Sequence, residues 1–266
     1  MSLPTTESIQ LEQKNGWLTI WFDGIENRNA LTDQRVAETL AVLNAVADDR
    51  AVRGITLRGK GGVFSAGGDL KSFRKFAEAP DDDVIEMSKS IAYLLNRLNT
   101  MPQVTVALVE GAAIAGGLGI VCCCDVAICQ SSAKFAFSET MIGISPAQIA
   151  RFVMQKLGYA KGRRLMLTAA RFDGAEAGNL GLADFVADDV ASLEAYEVKV
   201  RRDVLKCAPG AIAATKELIL ELPYIEPDAV ADIAGRNFTK RLKSDEGKEG
   251  VSSFLEKRAP NWAQEP

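Results

Sequence analysis

Polar and apolar residues alternate at the start of the chain, and the period changes further on. Ser8 to Gln13 and Gly16 to Phe22 alternate as two strands joined by a short Lys14-Asn15-Gly16 turn. Asn27 to Ala30 is a polar loop. Thr32 has the chemistry of a helix N-cap, and Val36, Leu40, Leu43 and Val46 then recur at helical spacing. Gly54 to Leu57 is a short apolar strand, followed by a glycine-rich loop from Gly59 to Gly68. Asp81 to Asn99 predicts a long amphipathic helix, with acidic residues in its first turn and Ile91, Leu94, Leu95 and Leu98 on its apolar face. Val104 to Val109 reads as a buried strand. A second glycine-rich loop, Gly111 to Gly119, runs into a short apolar helix ending near Cys123, and Asp125 to Cys129 is another strand.

This order of strands and helices predicts an α/β core over residues 1–190. Beyond about Val190 the strand signal fades. Four helical stretches follow, Ser192–Lys206, Pro209–Glu221, Asp228–Lys240 and Asp245–Lys257, forming a C-terminal helical region over 191–266. No low-complexity linker separates the two parts, so they are expected to pack together.

Composition narrows the chemistry. The chain has 266 residues, 47% hydrophobic and 25% charged, which is ordinary for a globular protein able to bury a core without disulfides or metals. A formal net charge of −4 argues against nucleic-acid binding. The polar stretch Met1 to Asn15 lacks the apolar segment of a signal peptide. The longest uncharged apolar run, Gly111 to Cys124, is too short for a membrane span. A soluble cytoplasmic protein without a membrane partner is therefore expected. The five cysteines include an adjacent triplet, Cys122, Cys123 and Cys124, which fits neither a disulfide framework nor a zinc site; they read as small buried apolar residues. Histidine is absent, which removes Ser-His-Asp and Cys-His chemistry and most zinc sites. Acid–base work falls to Asp, Glu, Lys, Tyr or Cys.

Three segments could carry it. Phe64-Ser65-Ala66-Gly67-Gly68-Asp69-Leu70 places two glycines before an acidic residue and a helix start. Ala115-Gly116-Gly117-Leu118-Gly119 opens an apolar helix, whose first N–H groups are free and sit at the positive end of the helix dipole. Each loop could donate one N–H to the same oxygen; each could equally be a tight turn with no ligand. Neither is a dinucleotide or Walker loop. The third segment runs from Phe135 to Pro146. Glu139 is the sole acidic residue between Asp125 and Asp173, and an isolated carboxylate in apolar surroundings has a raised pKa. Alone, the same residue could be a helix cap or a surface glutamate.

Taken together, these segments resemble the enoyl-CoA hydratase/isomerase, or crotonase, superfamily. Phe64 to Leu70 resembles the first oxyanion loop, Val109 to Gly119 the second, and Asn27-Arg28-Asn29-Ala30-Leu31 the early loop that lies along coenzyme A. Glu246 to Arg258 resembles the family's last helix. The likeness runs in order from about residue 10 to 260. The resemblance implies a spiral of ββα units with a C-terminal helical oligomerisation region, assembling as a homotrimer or hexamer. It implies an acyl-CoA thioester substrate and no metal or separate cofactor. By motif position, Gly68 and Gly116 would donate to the thioester oxygen and Glu139 would move the proton. Arg28, Ala30, Ala66, Asp69, Leu70, Lys71, Gly117 and Lys257 would contact the CoA thioester. Arg28, Lys71 and Lys257 are the candidate phosphate partners, although lone cations are more often solvated surface charges. Lys257 could serve a neighbouring subunit, and Asp69 has the chemistry of a helix cap. The acyl group would meet the 81–99 helix, Met141, Ile142 and Gln148.

One departure matters. Typical hydratases of the family carry a second glutamate where this chain has Gly119. The segment Ser138-Glu139 with Ile144-Ser145-Pro146 is similar to single-glutamate hydratases acting on branched glutaconyl-type thioesters. A 2-enoyl-CoA hydratase is thus the favoured reading. A 3-enoyl to 2-enoyl-CoA isomerase, which needs one base, and a silent acyl-CoA-binding protein remain as alternatives.

Overall fold

The computed structural model describes residues 3–266; Met1 and Ser2, at the head of the polar N-terminal stretch, lie outside it. Strands β1 (Ile9–Lys14) and β2 (Trp17–Phe22) form an antiparallel hairpin, and Asn15 and Gly16 turn it at positive φ. Helix α1 (Asp33–Val46) starts where the Thr32 hydroxyl accepts the Arg35 N–H. Strand β3 (Gly54–Gly59) leads into the first glycine loop, then α2 (Leu70–Phe76) and α3 (Asp81–Asn99). The next turn is β4 (Val104–Val109), β5 (Ala112–Ile114) and α4 (Gly116–Cys123). It is followed by β6 (Val126–Gln130), β7 (Lys134–Ala136) and α5 (Ala150–Leu167). Strand β8 (Arg171–Asp173), α6 (Gly174–Leu180) and β9 (Phe185–Ala187) close the core. Helices α7 (Val190–Leu205), α8 (Pro209–Glu221), α9 (Val230–Leu242) and α10 (Asp245–Leu255) end the chain.

The repeat is visible in the pairing. One strand of each turn enters a six-stranded sheet, ordered β1-β2-β3-β4-β6-β9, parallel from β2 onward. The next enters a small second sheet, β5-β7-β8, before a helix returns. In the β3 turn the second strand shrinks to a bridge at Ser65, paired parallel to Ala113. The expected spiral of ββα units is therefore present.

Parallel strands buried on both faces need continuous apolar runs rather than alternation, and β4 (Val-Thr-Val-Ala-Leu-Val) shows one. One face of the large sheet meets α1, α3, α4 and α5 in the main core, which includes Phe22, Leu57, Phe64, Leu95 and Phe137. Val106, Leu108 and Ile128 on the other face meet Leu193, Val200 and Val204 of α7. Polar contacts fix α7 there: Glu197 accepts from Thr56 and from Arg201, and Arg58 bridges Glu110 (2.7 Å) and Glu194 (2.9 Å).

The structure adds elements absent from the sequence reading. Strand β5 lies inside the glycine loop, and three residues are too few for a period-2 signal. The 18-residue α5 bends at Gly158 (φ 74°, ψ 163°), which breaks its hydrophobic periodicity. Strands β8 and β9 have three residues each. The cysteine triplet and Cys129 are buried as expected, whereas Cys207, just past the end of α7, is exposed; burial pushes the Cys122 thiol up to about 12.

Phe135 on β7 stacks on Phe172 of β8 at 5.5 Å between centroids and is fully buried. Replacing it with alanine leaves a cavity under the small sheet. Phe135→Ala is expected to lose about 3–5 kcal/mol in urea unfolding; a loss below about 1 kcal/mol would show that the small sheet does not rest on this contact.

Candidate active site

Strand register assembles the site. Ser65 pairs parallel to Ala113, and Ala113 pairs parallel to Phe135. Three chain segments therefore run side by side in one direction. Three residues beyond Ser65 is Gly68, three beyond Ala113 is Gly116, and four beyond Phe135 is Glu139. All three emerge at the same edge. A built Cβ on Gly116 would lie 3.9 Å from the Gly68 nitrogen, so the two glycine loops touch.

Hydrogen bonds lock this edge. Ser65 N–H donates to Ala112 (3.0 Å), Ile114 N–H to Ser65 (3.0 Å), and Ala115 N–H to Ala136 (2.8 Å). Gly67 sits at φ 87°, and a side chain there would meet the Ile114 carbonyl at 2.6 Å, so the close approach of the loops requires glycine. Ala115 is held at φ 49°, ψ −120°, a conformation that typically costs an alanine about 1–3 kcal/mol. Strain of this kind, kept in place by neighbours, turns the N-terminus of α4 outward. Among the described residues, neither the Gly68 N–H nor the Gly116 N–H has an acceptor. Both are free to serve one oxygen.

Asn29 is the residue whose role the sequence did not show. It is fully buried at φ 57°. Its Nδ2 donates to the carbonyls of Lys60 (2.9 Å) and Val63 (2.6 Å), and its Oδ1 accepts from Gly24 N–H (2.9 Å). The Ser65 hydroxyl donates to the Asn29 carbonyl (2.8 Å) and accepts from Gly67 N–H (3.1 Å). One side chain thus ties the early loop to the first glycine loop. Arg35 completes the support. Its buried guanidinium donates to the Ala30 and Ser8 carbonyls, and burial lowers its pKa. The signal was present in the Asn-Arg-Asn-Ala-Leu segment, but polarity alone could not tell a buried asparagine from a loop residue.

Glu139 begins a short 3₁₀ turn, Glu139–Ile142, separated from β7 by Phe137 and Ser138. It is half-buried, and its Oε2 has no hydrogen-bond partner among the described residues. Desolvation raises its pKa above the ordinary 4.5, while its own backbone N–H works the other way. The loop after it, with Met141, Ile142 and Ile144 exposed, is tied to α3 by Gln148 Nε2 donating to Ser88 Oγ (2.7 Å).

The other sequence candidates are distributed as follows. The Arg28 carbonyl accepts Ala66 N–H (2.9 Å), and Leu31 N–H donates to Gly67 (2.8 Å), which aligns Arg28, Ala30 and Ala66 beside the first loop. Asp69 caps α2, accepting from Lys71 N–H (3.0 Å) and Ser72 Oγ (2.9 Å). Leu70 and Lys71 are exposed on the first turn of α2, and Gly117 is buried against Ser65. Lys257 lies just past α10, at φ 56°, and α10 packs on α9. A cleft of about 730 Å³ on the outer face of the small sheet gathers Arg28 with Lys134 and Arg171, two cations the sequence reading did not single out. Among the described residues, no three His, Cys, Asp or Glu side chains cluster as metal ligands would. No helix there is long and apolar enough to cross a membrane.

Known proteins share this fold. A family model described as enoyl-CoA hydratase/isomerase matches residues 12–265. Pseudomonas aeruginosa AtuE superposes with a TM-score of 0.94 at 43% identity, covering 97% of this chain and 100% of its own. An enoyl-CoA hydratase/isomerase from Marinobacter aquaeolei gives 0.92 at 33%, covering 96% and 98%. Human enoyl-CoA hydratase domain-containing protein 2, mitochondrial, is 32% identical over 240 residues, 88% of this chain and 81% of that one.

The raised pKa of Glu139 carries a stability prediction. Its ionised form is penalised by folding, so the penalty is absent below the ordinary carboxylate pKa and grows as pH rises through the folded value. Glu139→Gln is therefore expected to melt above the wild type at pH 7, with the gap closing below about pH 4. A variant that melts lower at pH 7 would contradict the desolvated carboxylate.

Proposed function

Because the chain belongs to the enoyl-CoA hydratase/isomerase family, we propose that it adds water across the C2=C3 bond of a 2-enoyl-CoA, with Glu139 as the acid–base residue. The observation that supports this reading is the parallel register that brings two acceptor-free N–H groups to the strand ends beyond which Glu139, with a partnerless carboxylate oxygen, follows. The thioester oxygen sits between the Gly68 and Gly116 N–H groups. Glu139 takes a proton from water as the water oxygen bonds to C3. The C2=C3 electrons shift onto the thioester oxygen as an enolate, which the two donors stabilise; such a donor is typically worth ~10²–10³ in rate. Protonated Glu139 then returns its proton to C2. The carboxylate ends as it began, and one water has been added.

Arg28, Ala30, Ala66, Leu70, Lys71 and Gly117 are the proposed contacts to CoA, with Asp69 acting through its cap on α2. Coenzyme A belongs to the substrate, so the scheme uses no separate cofactor. Branched glutaconyl-type acyl groups are the proposed substrate class, on the likeness of Ser138-Glu139 and Ile144-Ser145-Pro146 to hydratases of that type. Exposed Phe238, Val251, Phe254 and Leu255 on α9 and α10 support self-association as a trimer or hexamer, with Lys257 serving a neighbour. A cytoplasmic location is part of the same reading.

One observation favours isomerisation as a second reading. The space beside Gly119 holds aliphatic side chains, and a 1,3-proton shift needs one base alone. Mass spectrometry with matched 2-enoyl and 3-enoyl thioesters separates the two. A gain of one water on the 2-enoyl substrate, reduced ~10²–10⁴-fold in Glu139→Gln with thioester binding retained, is the expected result. Double-bond migration at unchanged mass would make the protein an isomerase. Turnover that survives Glu139→Gln would remove Glu139 from the mechanism.

A further inference from the structure

Gly119 lies on α4 one turn beyond Gly116, and residues three apart share a helix face. The Gly116 position looks toward the Gly68 nitrogen, so that face of α4 borders the site. The Gly119 position is filled from across the helix pair. A Cβ built there would lie 2.3 Å from Cγ2 and 3.0 Å from Cβ of Ile149, and 3.9 Å from Cδ2 of Leu95. The first distance is one that real Cβ atoms essentially never show, and the second is tighter than nearly all of them. The intruding side chain is also stiff. Ile149 is β-branched, only 3% exposed, and its carbonyl accepts the N–H groups of Phe152 and Val153 (3.0 Å each) at the start of α5.

We propose that Ile149 is a specificity-determining residue, whose side chain takes the space a carboxylate from residue 119 would need and gives the acyl group an apolar wall that accepts an alkyl branch on C3. The proposal rests on the enoyl-thioester reading above. Gly119 is about 4.5 Å along α4 from Gly116, close to the reach from a thioester oxygen to the substituents of C3. A carboxylate at that point would need water or a polar partner. Ile149 and Leu95 offer neither, but they can pack on a methyl group. The same pair accounts for the glycine at 119. While Ile149 stands there, no larger residue fits, so the two positions must change together.

The test compares Ile149→Val, Ile149→Ala, Gly119→Glu and Gly119→Glu/Ile149→Ala with the wild type, each monitored by thermal melting. The readouts are kcat/KM for 3-methyl-branched against unbranched 2-enoyl-CoA, and calorimetric binding of isovaleryl-CoA against butyryl-CoA, which needs no turnover. The wild type is expected to prefer the branched member of each pair. Ile149→Ala should cut that preference about tenfold, the scale of one methylene in an apolar pocket, and Ile149→Val should cut it less. Gly119→Glu alone should lower the melting temperature sharply. Adding Ile149→Ala should recover part of that loss and introduce a second carboxylate ionisation into the pH profile of kcat/KM on unbranched substrate. If the melting temperatures fall but the branched-to-unbranched ratio stays constant in turnover and binding, Ile149 is only a packing residue and the proposal is overturned. If the wild type turns over neither thioester, the hydratase reading fails, while the binding ratio still decides the role of Ile149.

Discussion

Two short parallel pairings, Ser65 to Ala113 and Ala113 to Phe135, set the positions of Gly68, Gly116 and Glu139. A shift of one residue in either would turn each following segment by half a strand period and send its side chains to the opposite face. Much of the surrounding structure serves to prevent that shift. Phe135 is anchored between the main core and Phe172, Ser65 is bonded to Asn29, and the strained Ala115 is pinned to Ala136. The large sheet and its helices act as a platform that holds a three-segment edge in register.

Three of the unsatisfied groups follow these paired strands. The interior of a folded chain normally leaves few polar groups without partners, yet two N–H donors and a carboxylate oxygen are left without intramolecular partners within a few residues of the same strand ends. Donors held in place before a substrate arrives need no reorganisation when negative charge develops on an oxygen. A desolvated carboxylate has a pKa closer to the working pH and exchanges protons more readily. The same features lower stability, and the apolar packing of both faces of the large sheet offsets them.

The long elements were legible in the sequence because burial imposes a period on them. The limits of α3, β4 and α8 agree residue for residue with the hydrophobic pattern. The caps at Thr32 and Asp69 were legible because side-chain oxygens there have one evident use. Three-residue strands gave no periodic signal, and α5 lost its own at Gly158. Within the site, the glycine loops and Glu139 stood out by composition, but their convergence depends on pairings between residues about fifty and twenty apart. The burial of Asn29 and the contact of Ile149 with Gly119 are facts of packing that no local pattern encodes. Gly119 was visible as a missing glutamate; what fills its place was not.

In the proposed mechanism the Gly68 and Gly116 N–H groups stabilise a thioester enolate that Glu139 forms and quenches. Its most direct test is the exchange of α-protons of a saturated acyl-CoA in D₂O, followed by proton NMR, since this isolates enolate formation from water addition and from double-bond migration. Loss of α-protons is expected at a rate set by enzyme concentration, abolished in Glu139→Gln although that variant still binds the thioester. Exchange that persists without the carboxylate, or no exchange in a wild type that binds the thioester, would contradict it.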